Sequence, residues 1–314
     1  MMIRALGAGR NKKAVLALLK RFDFKAENAL DAALIARALG ASQRQEATDA
    51  LLEAWAHIDL ERLRSPALSA GHQALLLEIP KALGAIADIK AIPALRKGLA
   101  DFNGRIAEGS VFALGRLKDG RSVDWMIRLA ESADKDVSRA ACEALAEIGG
   151  ENARIALLKI ASSPDHAGRV AAAYGLARLG QRRGSLLLDG YLEEVEKPYP
   201  EGVLAAYYLT RLGKMSGLDY LVRVCEDKSS ELRSAGIEAL GRSKEPRAAL
   251  PLTELLSEGN ADVRLMAVRA LGELGGSRAL HALKRVWKKD ENKGVRSAAR
   301  SALADLGKYY PSRD

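Results

Sequence analysis

The stretch Asp262-Val263-Arg264-Leu265-Met266-Ala267-Val268-Arg269-Ala270-Leu271-Gly272-Glu273-Leu274-Gly275 decides how the rest of the chain is read. Its Ala and Leu residues favour a helix, its apolar positions recur at helical spacing, and Gly275 is suited to the left-handed residue that closes one. Asp262 is the expected N-cap. The core of the stretch, Ala270-Leu271-Gly272, returns along the chain as Ala38-Leu39-Gly40, Ala82-Leu83-Gly84, Ala113-Leu114-Gly115, Ala144-Leu145-Ala146, Gly175-Leu176-Ala177, Tyr208-Leu209-Thr210, Ala239-Leu240-Gly241 and Ala302-Leu303-Ala304. From Leu83 onward the leucines stand 31, 31, 31, 33, 31, 31 and 32 residues apart. A fixed period of this length marks a stack of helical repeats.

Each period divides into a first helix, A, and a second helix, B, which carries the key leucine. Arg247–Leu256 is the clearest A helix, with Pro246 and Pro251 near its start, where first-turn amides have no intrahelical partner. The breakers Ser163-Pro164-Asp165 and Lys197-Pro198-Tyr199-Pro200 fall between A and B helices. Glycines at 149, 180, 213, 275 and 307 close many of the helices. Pro80 falls inside a B helix and is expected to kink it. Four residues before the key leucine stand Ser110, Ala141, Ala172, Ala205, Gly236, Ala267 and Ala299, a row of small residues suited to close helix contact. One pair cannot bury both of its faces, so pairs must stack. The expected fold is all-α, a solenoid of about nine stacked two-helix repeats forming a curved right-handed superhelix. The interval from Leu39 to Leu83 is 44 residues, which implies an insertion near Asp59–Gly71. Residues 1–71 are therefore expected to form an irregular helical cap with divergent repeats, continuous with a regular array over 72–314.

Composition agrees. The 314 residues are 48% hydrophobic but only 5% aromatic, so Ala and Leu carry most of the burial. No segment is polar enough to read as disordered and none is apolar for long enough to span a bilayer. Cys142 and Cys225 lie far apart inside apolar helical patterns, which suits two buried thiols in a reducing compartment. No apolar core of signal-peptide length follows the basic N-terminus, and a cytoplasmic location is expected. The net charge of +9 is uneven: residues 1–22 carry six basic and no acidic side chains, and residues 278–300 carry eight basic and two acidic ones.

The quoted stretch, its paralogues, and Ala248-Ala249-Leu250-Pro251-Leu252-x-x-Leu255-Leu256 together resemble the HEAT-like repeats of phycobilisome lyases. The resemblance covers residues 75–307 strongly and 12–74 weakly. It implies the solenoid fold, and a role as a scaffold or adaptor or as a lyase subunit. In the lyase case a bilin would meet Arg178 and Arg211 through its propionates and stack on tyrosine.

Motifs for chemistry are sparse. His57, His72, His166 and His281 sit in different repeats and form no His-Glu pair, unlike the di-iron hydroxylases built from this repeat. No phosphate-cradling loop or nucleophile elbow occurs. Asp124-Trp125 invites comparison with DNA alkylation-repair glycosylases, but Trp125 is expected to pack in the core. No catalytic residue, metal or cofactor is assigned. The informative positions lie six before, two before and two after the key leucine, one face of helix B where residue type varies. This row is expected to line the concave surface and to bind a protein partner of acidic character through Phe112, Arg116, Arg139, Val170, Tyr174, Arg178, Val203, Tyr207, Arg211 and Arg242. Tyrosine and arginine are enriched in interface hot spots because they bury large area and keep a polar handle. A third reading gives the basic ends to nucleic acid.

Overall fold

The computed structural model describes residues 3, 11–25, 30–57, 70–100, 104–164, 166–193 and 198–307. Among them every regular element is helical. In chain order these are α1 Lys12–Leu19, α2 Leu30–Ser42, α3 Thr48–His57, α4 Ala70–Ile86, α5 Ile92–Ala100, α6 Gly104–Arg116, α7 Val123–Ala130, α8 Lys135–Ile148, α9 Glu151–Ala161 and α10 Arg169–Arg178. They continue with α11 Arg182–Glu193, α12 Pro200–Arg211, α13 Met215–Glu226, α14 Arg233–Arg242, α15 Ala249–Glu254, α16 Ala261–Leu274, α17 Gly276–Lys289 and α18 Lys293–Asp305. The nine key leucines occupy the nine even-numbered helices, and each is at most 1% exposed. The A/B division therefore holds, and the fold is an all-α solenoid of two-helix repeats. The insertion expected near Asp59–Gly71 falls largely on residues 58–69, outside the described residues.

The chain divides into two compact units, residues 1–179 and 180–314. In the first, α2, α4, α6, α8 and α10 pack side by side in succession, each against its own A helix. In the second, α12, α14, α16 and α18 do the same.

The Ala-Leu-Gly motif makes the closest of these contacts. The glycine after one key leucine lies against the alanine before the next. A Cβ on Gly40 would stand 2.6 Å from Ala82 Cα, one on Gly84 2.7 Å from Ala113 Cα, and one on Gly115 2.9 Å from Ala144 Cα. Gly241 would meet Ala270 Cα at 2.6 Å, and Gly272 would meet Ala302 Cβ at 2.8 Å. Between α8 and α10 the roles reverse, with Gly175 facing Ala146. Glycine is required there by proximity, not by backbone conformation. The second small-residue row, at Ser110, Ala141, Ala172, Ala205, Gly236, Ala267 and Ala299, is buried throughout. Its Gly236 lies against Val224 and Cys225 of α13, so this row admits the A helix.

At several helix starts a polar side chain accepts from the orphan first-turn amides. Asp134 accepts from the amides of Asp136 and Val137 at 2.9 and 3.2 Å, and Asn292 from those of Gly294 and Val295 at 2.8 and 3.2 Å. In the repeat that decided the reading the N-cap is Asn260, which accepts from Asp262 N at 2.8 Å. The helix begins at Ala261, two residues earlier than a cap at Asp262 would give, so Asp262 lies in the first turn and favours the helix dipole instead. Gly149, Gly180, Gly213, Gly275 and Gly307 all have φ near +75°, as closing residues should. Pro80 lies inside α4, which continues as α-helix on both sides of it.

Where an arginine stands seven residues before the key leucine, as at 169, 233, 264 and 296, it has a shared task, unrecognised in the sequence. Arg233 Nε donates to Cys225 O at 2.7 Å, and Arg296 Nη1 to the carbonyls of Asp290 and Glu291 at 2.8 and 2.9 Å. Arg264 Nη1 donates to the carbonyls of Glu258 and Gly259 at 2.9 and 3.0 Å. Each guanidinium thus ties the start of a B helix to the connection that precedes it or, for Arg169 and Arg233, to the last turn of the A helix. Arg264 goes further and forms a two-bond ion pair with Asp290, its Nε 3.0 Å from Oδ2 and Nη2 3.1 Å from Oδ1. Both side chains are less than 10% exposed. Burial by itself pushes the Asp290 carboxyl up, but hydrogen bonds from Arg264 and the Asn292 amide outweigh it and leave the group below its ordinary value.

Two stability series test this packing by urea denaturation. Gly241→Ala is expected to overpack the α14–α16 contact and cost about 1–3 kcal/mol, and Leu240→Ala to cost about 2–5 kcal/mol by leaving a cavity. Arg264→Ala leaves Asp290 buried and uncompensated, for about 3–5 kcal/mol, whereas Arg264→Met with Asp290→Leu recovers much of that loss. The Asp290 contribution is fully present above the unfolded carboxyl pKa of about 3.9 and disappears as pH falls through the lower folded value. A wild-type urea midpoint for Gly241→Ala would place that glycine away from any close contact.

Candidate protein-binding face

The face of the B helices two residues before and after the key leucine repeatedly pairs an aromatic ring with an arginine one turn later. The Arg116 guanidinium carbon lies 5.9 Å from the centre of the Phe112 ring, that of Arg178 lies 6.0 Å from Tyr174, and that of Arg211 lies 5.6 Å from Tyr207. The spacing i,i+4 places both groups on one strip of helix, where a cation over a ring face is attracted by the ring quadrupole. Arg242, on the next B helix of the second unit, approaches Tyr207 as well, at 5.8 Å. Tyr207 is thus flanked by two guanidinium groups from α12 and α14.

Exposure along the row is uneven. Phe112 is 45% exposed, and Arg116, Arg178 and Arg242 are exposed at their tips. Arg139, Tyr207 and Arg211 are half-buried. Val170, Tyr174 and Val203 are buried, at 4%, 3% and 6%, which corrects the expectation that all ten residues line an open surface. Val203 belongs to the hydrophobic core of the second unit, where its aliphatic side chain is more stable than in water. Arg178 lies over the Tyr174 ring, so at this site the guanidinium reaches the surface and the ring does not.

Several of the arginines also have partners within the fold. Arg116 Nε donates to Gly84 O at 3.1 Å. Arg139 pairs with Asp136 at 3.0 Å and Glu143 at 3.8 Å, and Arg242 with Glu238 at 3.2 Å. Arg178 forms a two-bond pair with Glu147 of α8, and that hydrogen bonding raises the guanidinium pKa further above its ordinary value. Such exposed pairs are worth only about 0–1 kcal/mol each, so an incoming acid can displace them at small cost.

Trp125 departs from its expected place. It is 37% exposed on α7, with the Arg128 guanidinium 4.5 Å above the ring, rather than packed in the core. Its neighbours Met126, Leu129 and Ala130 take the buried face of that short helix. Among the described residues no cluster of His, Cys, Asp or Glu is arranged to hold a metal ion, and no helix is long and apolar enough to cross a membrane. The two cysteines are unpaired and buried. Burial pushes each thiol up to about 12, far from the range in which a thiolate forms near neutral pH.

A family model for HEAT repeats matches residues 92–177, 202–264 and 250–304 of this chain. A model for the PBS lyase HEAT-like repeat matches residues 81–101. No curated protein sequence matches the chain significantly. Among solved structures, human deoxyhypusine hydroxylase in complex with glycerol is similar at 19% identity, covering 84% of this chain and 99% of that one, with a TM-score of 0.42. The complex of CpcE and CpcF of phycocyanin lyase from Nostoc sp. PCC7120 is similar at 21% identity over 72% of this chain and 91% of that one, with a TM-score of 0.44.

The thiol environments predict that neither Cys142 nor Cys225 reacts with a disulfide reagent at pH 8 while the chain is folded. Both should react fully on denaturation. Prompt labelling of the native protein would mean that at least one of the two helices opens readily.

Proposed function

The chain belongs to the HEAT-repeat family, and on that premise we propose that it is a non-catalytic scaffold that grips an acidic segment of a protein partner. The observation that carries this reading is the approach of both Arg211 and Arg242 to the Tyr207 ring, at 5.6 and 5.8 Å from its centre. Tyr207 is partly exposed, so its ring offers apolar area and its hydroxyl a polar handle, the combination that anchors interface hot spots. The two guanidiniums beside the ring favour a carboxylate, which they would meet through charge-assisted hydrogen bonds.

Phe112 with Arg116 offers a second anchor of the same kind in the first unit. Its ring is among the most exposed large apolar groups, and the adjacent charge suits the same acidic chemistry. Arg139 and Arg178 add charge along that row. Tyr174, Val170 and Val203 serve this proposal as support for the helices rather than as contacts. Two unpaired cysteines support a reducing, cytoplasmic setting.

The test is affinity capture from the native organism with wild-type bait, followed by direct binding of the recovered partner. Tyr207→Ala with Arg211→Glu and Arg242→Glu is expected to weaken binding by at least about 2 kcal/mol, roughly thirtyfold, while leaving the helical circular dichroism signal unchanged. Phe112→Ala should weaken it less. Added salt should weaken the wild-type complex more than the charge-reversed one. Unchanged affinity in the triple variant would remove this face from the interface.

A further inference from the structure

Helix α17, the A helix of the last repeat, is charged in a way that its own packing does not require. Between Gly276 and Lys289 it carries Arg278, Lys284, Arg285, Lys288 and Lys289 and no acidic residue. Its apolar face, with Ala279, Ala282, Leu283, Val286 and Trp287, is buried in the core of the second unit. Arg278, Arg285, Lys288 and Lys289 are all exposed. At 100° per residue they fall within an arc of about 100°, and they extend over about 16 Å of helix axis.

Among the described residues none of these four has an ion-pair partner. The neighbouring carboxylates are already engaged: Asp290 and Glu291 by Arg264, at 3.0 and 3.2 Å, and Glu258 by Arg233 and Lys228, at 2.8 and 3.5 Å. Lys288 and Lys289 in the last turn complement the helix dipole, but Arg278 and Arg285 do not lie there, and Arg285 and Lys289 repel one another at i,i+4. The stripe is thus a row of cations with no counter-ion among the described residues. A cleft of about 440 Å³ adjoins its C-terminal end, where Arg285 and Lys289 face the already engaged carboxylates of Glu258, Asp290 and Glu291, so the phosphate contacts belong to the exposed stripe and not to this cleft.

We propose that the exposed stripe of α17 binds the phosphate backbone of nucleic acid without regard to sequence. The absence of an apolar anchor decides the kind of partner. No large hydrophobic side chain of α17 is exposed, so the stripe lacks the buried centre on which a protein interface depends. A membrane-surface helix inserts its apolar face between lipids, and here that face is committed to the core. Phosphate backbone asks only for closely spaced cations. A duplex presents one charge per about 1.7 Å, so the length of the stripe faces roughly ten of them. This surface is separate from the Tyr207 row, and the two proposals stand or fall independently.

The experiment uses the full chain and a fluorescein-labelled, mixed-sequence 20-base-pair DNA duplex as probe, read by anisotropy. With about four phosphates neutralised, raising KCl from about 50 to 200 mM should weaken binding on the order of 100-fold. The variant carrying R278Q, R285Q, K288Q and K289Q should lose at least about tenfold in affinity at the lower salt and most of the salt slope. Glutamine keeps helix propensity at exposed positions, and an unchanged melting curve confirms that the fold is intact. The K12Q/K13Q variant of α1 should bind as wild type. The proposal is overturned if the wild type does not bind at low salt, or if the four-residue variant matches it in affinity and slope. It is overturned equally if K12Q/K13Q alone abolishes binding, or if vesicles containing phosphatidylserine are bound and the duplex is not.

Discussion

Close approach of successive B helices is the constraint on which the remaining structure depends. Gly241 against Ala270, or Gly84 against Ala113, brings one helix within reach of the next only because one partner has no Cβ and the other has little beyond it. At that separation the adjacent leucine reaches into the seam and loses almost all contact with water. The same separation makes the A helix fit behind, across the second row of small residues. One repeat therefore presents to the next the surface that it received from the previous one, and stability accrues through neighbouring interfaces.

Stacking helices this tightly exposes a second requirement, at their ends. Every connection between A and B leaves carbonyls and amides without intrahelical partners. At α8, α16 and α18 an Asp or Asn cap answers for amides, and where an arginine stands seven residues before the key leucine it answers for carbonyls. Where that arginine is fully enclosed, as at Arg264, it brings its own counter-ion in Asp290. A buried pair of this kind adds little over a well-packed apolar pair, but half of it is costly. That asymmetry ties α16 to the connection before α18.

The distribution of charge separates cations that have a partner within the fold from cations that have none among the described residues. Arg116, Arg139, Arg178 and Arg242 each have a partner within the fold, and beside them aromatic rings offer apolar area. On α17 the reverse holds, with charge in plenty, no exposed apolar group, and neighbouring acids already engaged. Two surfaces of different chemistry on one solenoid suit the two partners proposed, because carboxylate beside a ring and bare phosphate backbone ask for different things.

The period of the leucines, the small-residue rows and the closing glycines were legible in the sequence, and from them the class of fold and the A/B division of the described helices. The reason is physical: helical periodicity and close packing restrict residue type at a fixed spacing, and the restriction recurs with every repeat. Burial of the variable row was not legible. Periodicity shows that Val170, Tyr174 and Arg178 share a face, but not what covers it, and in three dimensions the ring is enclosed while the guanidinium is not. Trp125, exposed beneath Arg128, and the capping of α16 by Asn260 rather than Asp262 were decided at the same level. So was the difference between engaged and unengaged cations, since a count of charges along 278–300 cannot tell that Asp290 already belongs to Arg264. Sequence determines which residues recur together; only tertiary structure assigns each one its neighbour.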